Sequence, residues 1–137
     1  MPKIFTSKNQ RIGKASENIA VRFLMKHGFK VLERNYTRPW GEIDIVARKS
    51  GKLFFIEVKS ISVSWETMDR AGKRHNHYRP EDNMHPLKMR RMARTIQTYF
   101  LERNISEETE WQVDLLVIYV DLKLKKAQIK VVKDIIL

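Results

Sequence analysis

Two acidic residues and one lysine in neighbouring β-rich segments have types and spacing suited to catalysis. Asp44 lies in a segment where apolar and polar residues alternate, and Glu57 precedes Lys59 by two positions in the next apolar segment. Ser50-Gly51, between the two segments, predicts a hairpin turn. With an even-length loop, Asp44 lies directly opposite Glu57, and an odd-length loop would shift the pairing by one residue.

The facing carboxylates favour a bound cation between them. Like charges opposed across two strands repel each other, and their Cβ atoms lie about 4.5–5.5 Å apart. Magnesium and manganese prefer carboxylate oxygens, and magnesium retains waters that can become nucleophiles. Lys59 could stabilise the charge of a reacting phosphate, so the pattern favours metal-assisted phosphodiester hydrolysis. The alternative is that Asp44 and Glu57 lie on a solvent-facing side of the hairpin without a cation, and that Lys59 pairs with Glu42.

Composition points to a polyanionic partner. The 137 residues carry a formal net charge of +11, and the sequence pI is about 10.0. Such an excess favours nucleic acid over an anionic membrane or an acidic protein. Ribosome-associated basic proteins have the same excess, so charge alone names no reaction.

Several classes of protein are disfavoured by what the sequence lacks. Cysteine is absent, which removes thiol nucleophiles, zinc knuckles and disulfides. The first residues resemble no secretory signal, and the longest strongly apolar run, Leu115 to Val120, is far shorter than a membrane span. We therefore expect a cytoplasmic protein that does not enter a membrane.

The hydrophobic pattern predicts a single α/β domain over residues 1–137, with a mixed β-sheet flanked by a helix on each side. The predicted order is α-β-β-β-α-β-β. A long basic loop is expected at about 62–85. The elements are predicted at 7–27 (helix), 29–34, 41–47 and 52–59 (strands), 86–103 (helix), 111–120 (a central strand) and 127–132 (an edge strand).

The pattern Asp44…Glu57-Val58-Lys59 resembles the signature of the PD-(D/E)XK nuclease superfamily. Together with the segments around this signature, the chain is similar to the YraN-like family, a relative of Holliday-junction resolvases. The similarity covers about the first sixty residues and continues more loosely afterwards. The segments that carry it are Gly13 to Ala20, His27-Gly28-Phe29, Arg34-Asn35-Tyr36, Gly41 to Ala47, Phe55 to Lys59, Lys88 to Phe100 and Val113 to Leu116.

The resemblance implies a restriction-endonuclease-like core and a role for each matching residue. Asp44 and Glu57 would bind Mg²⁺ or Mn²⁺ together with the Val58 carbonyl. Lys59 would be the catalytic lysine, and Glu17 would reach the site from the first helix. A homodimer is expected only by analogy with resolvases.

The chain departs from the family pattern at three places. Ile43 replaces the proline that names the superfamily, as is common in this branch. Ser16 stands where the family usually has glycine. The stretch from Arg70 to Met84 is longer than the corresponding family loop, so its role in handling substrate does not carry over.

A basic region from Arg70 to Arg94 is a candidate nucleic-acid surface, although a solvated loop and helix face would look the same. Tyr78 and Trp65 could stack on bases. Histidines in this region suggest zinc only weakly, and Asp114 could be either a site residue or a core carboxylate. The residues predicted to contact nucleic acid are Arg74, Lys88, Arg90, Arg91 and Arg94.

The sequence therefore predicts a metal-dependent DNA endonuclease, acting on branched or structured DNA if the resolvase resemblance extends to substrate. The alternative is a nucleic-acid-binding module that kept the fold without efficient catalysis. Intact Asp44, Glu57 and Lys59 favour the enzyme. A ribosome-associated protein would leave the facing carboxylates unexplained.

Overall fold

The computed structural model describes residues 7–65 and 84–137. Most of the predicted basic loop, including Arg74 and Tyr78, lies outside the described residues. In those ranges no helix is long and apolar enough to cross a membrane. The elements are α1 (Lys8–Lys26), β1 (Lys30–Arg38), β2 (Gly41–Lys49), β3 (Lys52–Ser62), α2 (Pro86–Glu102), β4 (Trp111–Asp121) and β5 (Lys126–Val132).

The first helix begins and ends where the sequence predicts. Ser7 forms a capping box with Gln10, each side chain accepting a hydrogen bond from the other's backbone N–H. His27 caps the carboxyl end, and Gly28 follows with φ +86°, a conformation that glycine adopts without strain.

The five strands form one mixed sheet in the order β1-β2-β3-β4-β5. β3 and β4 are parallel, and every other neighbouring pair is antiparallel. A parallel pair needs a crossover connection, and α2 lies within the one that joins β3 to β4. The predicted α/β class and element order are confirmed, and they are compatible with a nuclease-like core.

Each face of the sheet is covered by one helix. The α1 face packs around Ala20 and Leu24, with Ile45 and Ile56 beneath them. The α2 face is larger and includes three residues that are buried on α2: Met92, Ile96 and Tyr99. β4 lies between β3 and β5 and contributes buried residues to both faces, so its predicted interior place is confirmed.

The β2–β3 hairpin has a two-residue loop, so its loop length is even. Ser50 and Gly51 have φ of 51° and 76°, and two positive φ values are typical of a type I′ turn. The observed pairs run from Lys49↔Lys52 to Ile45↔Ile56, which is the even-loop register. This register brings Asp44 and Glu57 to the same end of the hairpin.

The prediction that the first strand ends at Arg34 was wrong. β1 continues to Arg38 and pairs with β2 as far as Arg38↔Gly41. Asn35 has φ 54°, but asparagine tolerates this left-handed conformation, so it interrupts the strand without ending it. The real turn is the two-residue Pro39-Trp40.

The second helix is confirmed, with Pro86 in its first turn. Its hydrophobic pattern predicts an inner face of Met89, Met92, Ala93, Ile96 and Phe100, and of these Met92 and Ile96 are buried. Thr95 and Tyr99 are buried as well, and the pattern missed both because hydroxyl-bearing residues carry a weak hydrophobic signal. The Thr95 hydroxyl donates to the Arg91 carbonyl at 2.7 Å, which allows it to be buried.

The residue at the family's usual glycine position generates a stability prediction. Ser16 is fully buried, and its Oγ has no hydrogen-bond partner among the described residues. A buried unpaired hydroxyl is destabilising, so Ser16→Ala should raise stability by about 1 kcal/mol. Thermal unfolding should show a rise of roughly 3–5 °C.

Ser7→Ala is the matched control in the same helix. Because Ser7 is exposed and caps α1, this change should lower stability by about 1 kcal/mol. A lower melting temperature for Ser16→Ala would mean that the Ser16 hydroxyl has a stabilising partner.

Candidate active site

The candidate site lies where β2 and β3 separate. Their last observed pair is Ile45↔Ile56, one step before Asp44 and Glu57. Beyond that pair, the Val58 backbone N–H donates to Asp44 Oδ2 at 2.7 Å. A side-chain carboxylate therefore bridges the two strands at the point where the described ladder stops.

Strict alternation along β2 does not hold across Asp44. Ile43 and Val46 both belong to the α2-side core, although alternation would put them on opposite faces. The irregularity lies opposite Asn35 of β1, which has a positive φ and lies between the pairs Arg34↔Ile45 and Tyr36↔Ile43. Strict alternation of the sequence would put Glu42, Asp44 and Val46 on one face of β2, and this break shows that such an assignment is wrong. The described register contains no Glu42–Lys59 pair.

Asp44 has the strongest electrostatic perturbation of the site. Burial raises its pKa to about 7, and the Glu57 carboxylate adds to the rise. Glu42 and Glu17 raise the pKa further, while the Val58 N–H opposes the shift. Negative charge is therefore concentrated around a carboxylate that is largely withdrawn from water.

Glu57 already has a cationic partner on α2. Lys88 Nζ lies 2.5 Å from Glu57 Oε1, and the Glu57 side chain is only 12% exposed. Lys88 was predicted to contact nucleic acid, and that role stays a prediction. In this structure its ammonium forms an ion pair with the Glu57 carboxylate.

Lys59 lies one alternation step beyond Glu57 on β3, opposite Val117 of the parallel neighbour β4. Its side chain is half-buried. Within residues 7–65 and 84–137, no carboxylate forms an ion pair with its ammonium. The described part of the chain thus leaves this ammonium available to an anionic ligand.

Glu17 lies on α1, and its role at the site stays a prediction. Its carboxylate lies 3.7 Å from the Arg34 guanidinium, which also donates to Asn18 Oδ1 at 3.0 Å. It is close enough to raise the pKa of Asp44. Arg34 therefore holds Glu17 at the margin of the site, without a direct contact to the other carboxylates in this structure.

The described residues contain no ready-made group of three or more His, Asp or Glu side chains for a metal. The available protein ligands are thus the Asp44 and Glu57 carboxylates, with the Val58 carbonyl still a prediction. His85 does not join them: its Nδ1 accepts the Leu87 N–H at 3.2 Å and caps α2.

Asp114 has a structural environment. It is buried, and its Oδ1 accepts hydrogen bonds from Gln112 Nε2 at 2.7 Å and from the Asp134 N–H at 3.0 Å. It lies opposite Ile56, whose side chain belongs to the α1-side core, whereas Glu57 meets α2. Neutral donors therefore satisfy Asp114.

The three arginines predicted to bind nucleic acid are exposed on α2. No carboxylate in the described ranges forms an ion pair with them. They follow Lys88 along the helix, so they extend positive charge away from Glu57. They are Arg90, Arg91 and Arg94.

Sequence reasoning missed two contacts that shape this site. The Val58 N–H bond to Asp44 depends on the separation of two strands, which periodicity does not reveal. The Lys88–Glu57 pair joins residues far apart in sequence. The only indication of the Lys88–Glu57 pair in the sequence was that Lys88 falls in the first turn of a well-defined helix.

The buried carboxylate pair predicts an unusual stability profile in EDTA. Because the folded pKa of Asp44 is raised from 3.8 to about 7, native stability is lost as pH rises between these values. Asp44→Asn retains an acceptor for the Val58 N–H and removes the charge. Its melting temperature should match wild type near pH 4 and exceed it increasingly towards about pH 7.

Asp121→Asn is a control with the opposite sign. Hydrogen bonds from the Leu124 and Trp65 N–H groups lower the pKa of Asp121, so its charge stabilises the fold above the unfolded pKa. This variant should melt below wild type at neutral pH and approach it as pH falls. A lower melting temperature for Asp44→Asn at pH 8 would contradict the carboxylate repulsion.

Comparison with known proteins identifies the family. Residues 16–120 match the uncharacterised protein family UPF0102. A UPF0102 protein of Campylobacter hominis is 38% identical over 109 residues, covering 80% of this chain and 84% of the relative. UPF0102 proteins of Campylobacter lari and Campylobacter fetus are 36% and 34% identical, covering 80% and 81% of this chain and 84% and 86% of the relatives. The chain belongs to the UPF0102 family, in agreement with its YraN-like resemblance.

Proposed function

We propose that this protein is a metal-dependent endonuclease that hydrolyses phosphodiester bonds in DNA. The observation that carries the proposal is the pair Asp44 and Glu57, held together at the separating ends of β2 and β3 with Lys59 one step beyond. A structural role alone does not account for two such carboxylates, because their repulsion is destabilising.

The donor set fits a hard divalent cation. Both side chains offer oxygen, which Mg²⁺ and Mn²⁺ prefer, and magnesium usually binds through one or two carboxylates and several waters. The raised pKa of Asp44 reflects burial and the neighbouring Glu57, and a cation would offset both effects. Lys88 must move aside for a metal to reach the Glu57 oxygen that it now contacts.

Each of the site residues would have a separate role. Asp44 and Glu57 would hold the ion, and the Val58 N–H would keep the Asp44 carboxylate oriented. The bound ion would lower the pKa of a coordinated water and polarise the phosphate. Lys59 would place its positive charge against the phosphate oxygens as negative charge builds up on them.

DNA as the partner is supported by the charge distribution. The formal net charge of the chain is +11, and three exposed arginines on α2 lie beyond Lys88 without carboxylate partners in the described ranges. Phosphate contacts of this kind position a duplex without reading its sequence. The preference for branched or structured DNA and the homodimer rest on the resolvase resemblance and stay predictions.

Metal-dependent cleavage is the direct test of the site. We expect nicking or cutting of at least one among duplex, single-stranded, flapped and four-way DNA, supported by Mg²⁺ or Mn²⁺ and stopped by EDTA. Glu57→Gln and Lys59→Met should each reduce the cleavage rate by roughly 100-fold or more, because they remove a metal ligand and a phosphate-stabilising charge. Gel assays with labelled DNA would measure these rates.

Lys52→Met is the matched control, since Lys52 lies at the other end of the same strand. It should cleave at the wild-type rate. Full activity in Glu57→Gln or Lys59→Met would end the catalytic assignment. If the wild-type protein binds DNA but cleaves no substrate, the result would instead favour the alternative, a nucleic-acid-binding module without efficient catalysis.

The α2 arginines generate a separate prediction about salt. For duplex DNA, log K should fall linearly with log salt concentration, with a slope of about −0.9 for each phosphate neutralised. Replacing Arg90, Arg91 and Arg94 together with alanine should reduce the magnitude of this slope by about 0.9 for each arginine that contacts a phosphate. Fluorescence anisotropy over a salt series would measure it.

Arg22→Ala is a suitable control because Arg22 is exposed on α1, away from this surface. Its slope should equal that of the wild type. An unchanged slope in the triple variant would mean that α2 does not face the duplex.

A further inference from the structure

An open cavity of about 710 Å³ lies beside the candidate active site, between the β1–β2 turn and α2. Residues 37–42 form one wall, and Arg90, Arg91 and Arg94 form the other. Its size is within the range of small-molecule and cofactor sites. The proposed nuclease chemistry uses neither the cavity nor the turn residues that line it.

The cavity depends on a close approach between the turn and the helix. A Cβ added at Gly41 would lie 2.4 Å from Thr95 Oγ1 and 3.1 Å from the Arg91 carbonyl oxygen. Because the Thr95 hydroxyl is itself bonded to that carbonyl, neither group can easily give way. Only glycine fits here, and the turn is therefore held against α2.

The close approach places Trp40 next to Arg94. The Arg94 guanidinium lies over the indole, 4.3 Å from the ring centroid. Trp40 is half-buried, and its Nε1 is shielded from water without a hydrogen-bond partner among the described residues. A guanidinium stacked on an indole suits a ligand with a flat ring, because both groups present planar surfaces.

The charges around the cavity suit an anion. Arg38 is committed to Glu102, and Arg103 to Glu33. By contrast, Arg90 and Arg91 are exposed, and no ion pair with them occurs in the described ranges. Guanidinium groups bind phosphate with paired hydrogen bonds, so these two arginines are suited to a phosphate.

The cavity adjoins the carboxylate pair. Glu42 lines the cavity and lies close enough to Asp44 to affect its charge state. On α2, Lys88 contacts Glu57, and Arg91, three residues further on, is its neighbour on the helix surface and lines the cavity. The same part of the helix therefore borders both the carboxylate pair and the cavity.

We propose that the cavity binds one unpaired nucleotide of a DNA substrate, with its base against the Trp40–Arg94 pair and its phosphate on Arg90 and Arg91. The proposal deepens the proposed function and rests on it for the identity of the substrate as DNA. In a duplex each base is already stacked between its neighbours, whereas an unpaired base is free to stack on an aromatic or guanidinium plane. The substrate class is therefore DNA with a single-stranded portion next to the scissile phosphate.

Equilibrium binding in EDTA separates this proposal from catalysis. The probes are a short oligodeoxythymidylate, a blunt duplex, and the same duplex with a single-stranded thymidine arm. Trp40→Leu keeps an apolar side chain but removes the stacking surface, so it should weaken binding of the first and third probes by roughly 5- to 100-fold. Blunt-duplex binding should be unchanged.

Conservative and matched variants distinguish stacking from loss of folding. Trp40→Phe should retain most of the single-strand affinity, because phenylalanine also stacks on bases. Arg90→Gln should weaken the binding of all three probes, whereas Arg22→Gln on α1 should weaken none. Quenching of indole emission by oligodeoxythymidylate should be smaller in Trp40→Phe than in wild type, and this readout needs no destabilising change.

The outcomes separate failure of this proposal from failure of the nuclease function. Equal effects of Trp40→Leu on armed and blunt duplexes, or no effect on either, would overturn the unpaired-nucleotide pocket even if wild type cuts DNA. Equal quenching in Trp40→Phe and wild type would overturn it as well. Selective loss of single-strand binding would support the pocket even if no probe were cut with any metal.

Discussion

The placement of two carboxylates at one end of a largely apolar hairpin is the constraint on which this site depends. Asp44 and Glu57 lie one step beyond the last β2–β3 pair, and burial together with the charge of Glu57 penalises the negative charge of Asp44. The surrounding contacts reduce the penalty: the Val58 N–H binds one carboxylate, and the Lys88 ammonium binds the other. These two contacts reduce the charge penalty within the fold, and the proposed cation would reduce it further.

The second helix supplies positive charge to the same site. Its first turn brings Lys88 to Glu57, and its later turns present Arg91 and Arg94 beyond the carboxylates. Gly41 allows β2 to begin directly against this helix. One packing contact thus sets both the distance from cations to carboxylates and the cavity at the β1–β2 turn. Substrate binding and catalysis would therefore share one structural support.

Turns and helix ends could be predicted from the sequence, because they depend on residues that are close together in the chain. The Ser50-Gly51 turn requires positive φ at both residues, and a two-residue turn of this type allows only the even-loop register of the hairpin. Capping at Ser7 and the proline in the first turn of α2 fixed the helix starts for similar reasons. The extension of β1 was missed because Asn35 signals a turn locally, while pairing with β2 carries the strand past it.

The amino-acid sequence by itself determined the element order, the hairpin register that brings Asp44 and Glu57 to the same end, and a strong positive charge. These properties follow from periodicity, turn geometry and composition, which act over short stretches of chain. Only the tertiary structure decided that Lys88 meets Glu57 and that Trp40 lies against Arg94. Those contacts join segments distant in sequence, and they depend on how a helix packs across a twisted sheet, which no local pattern encodes.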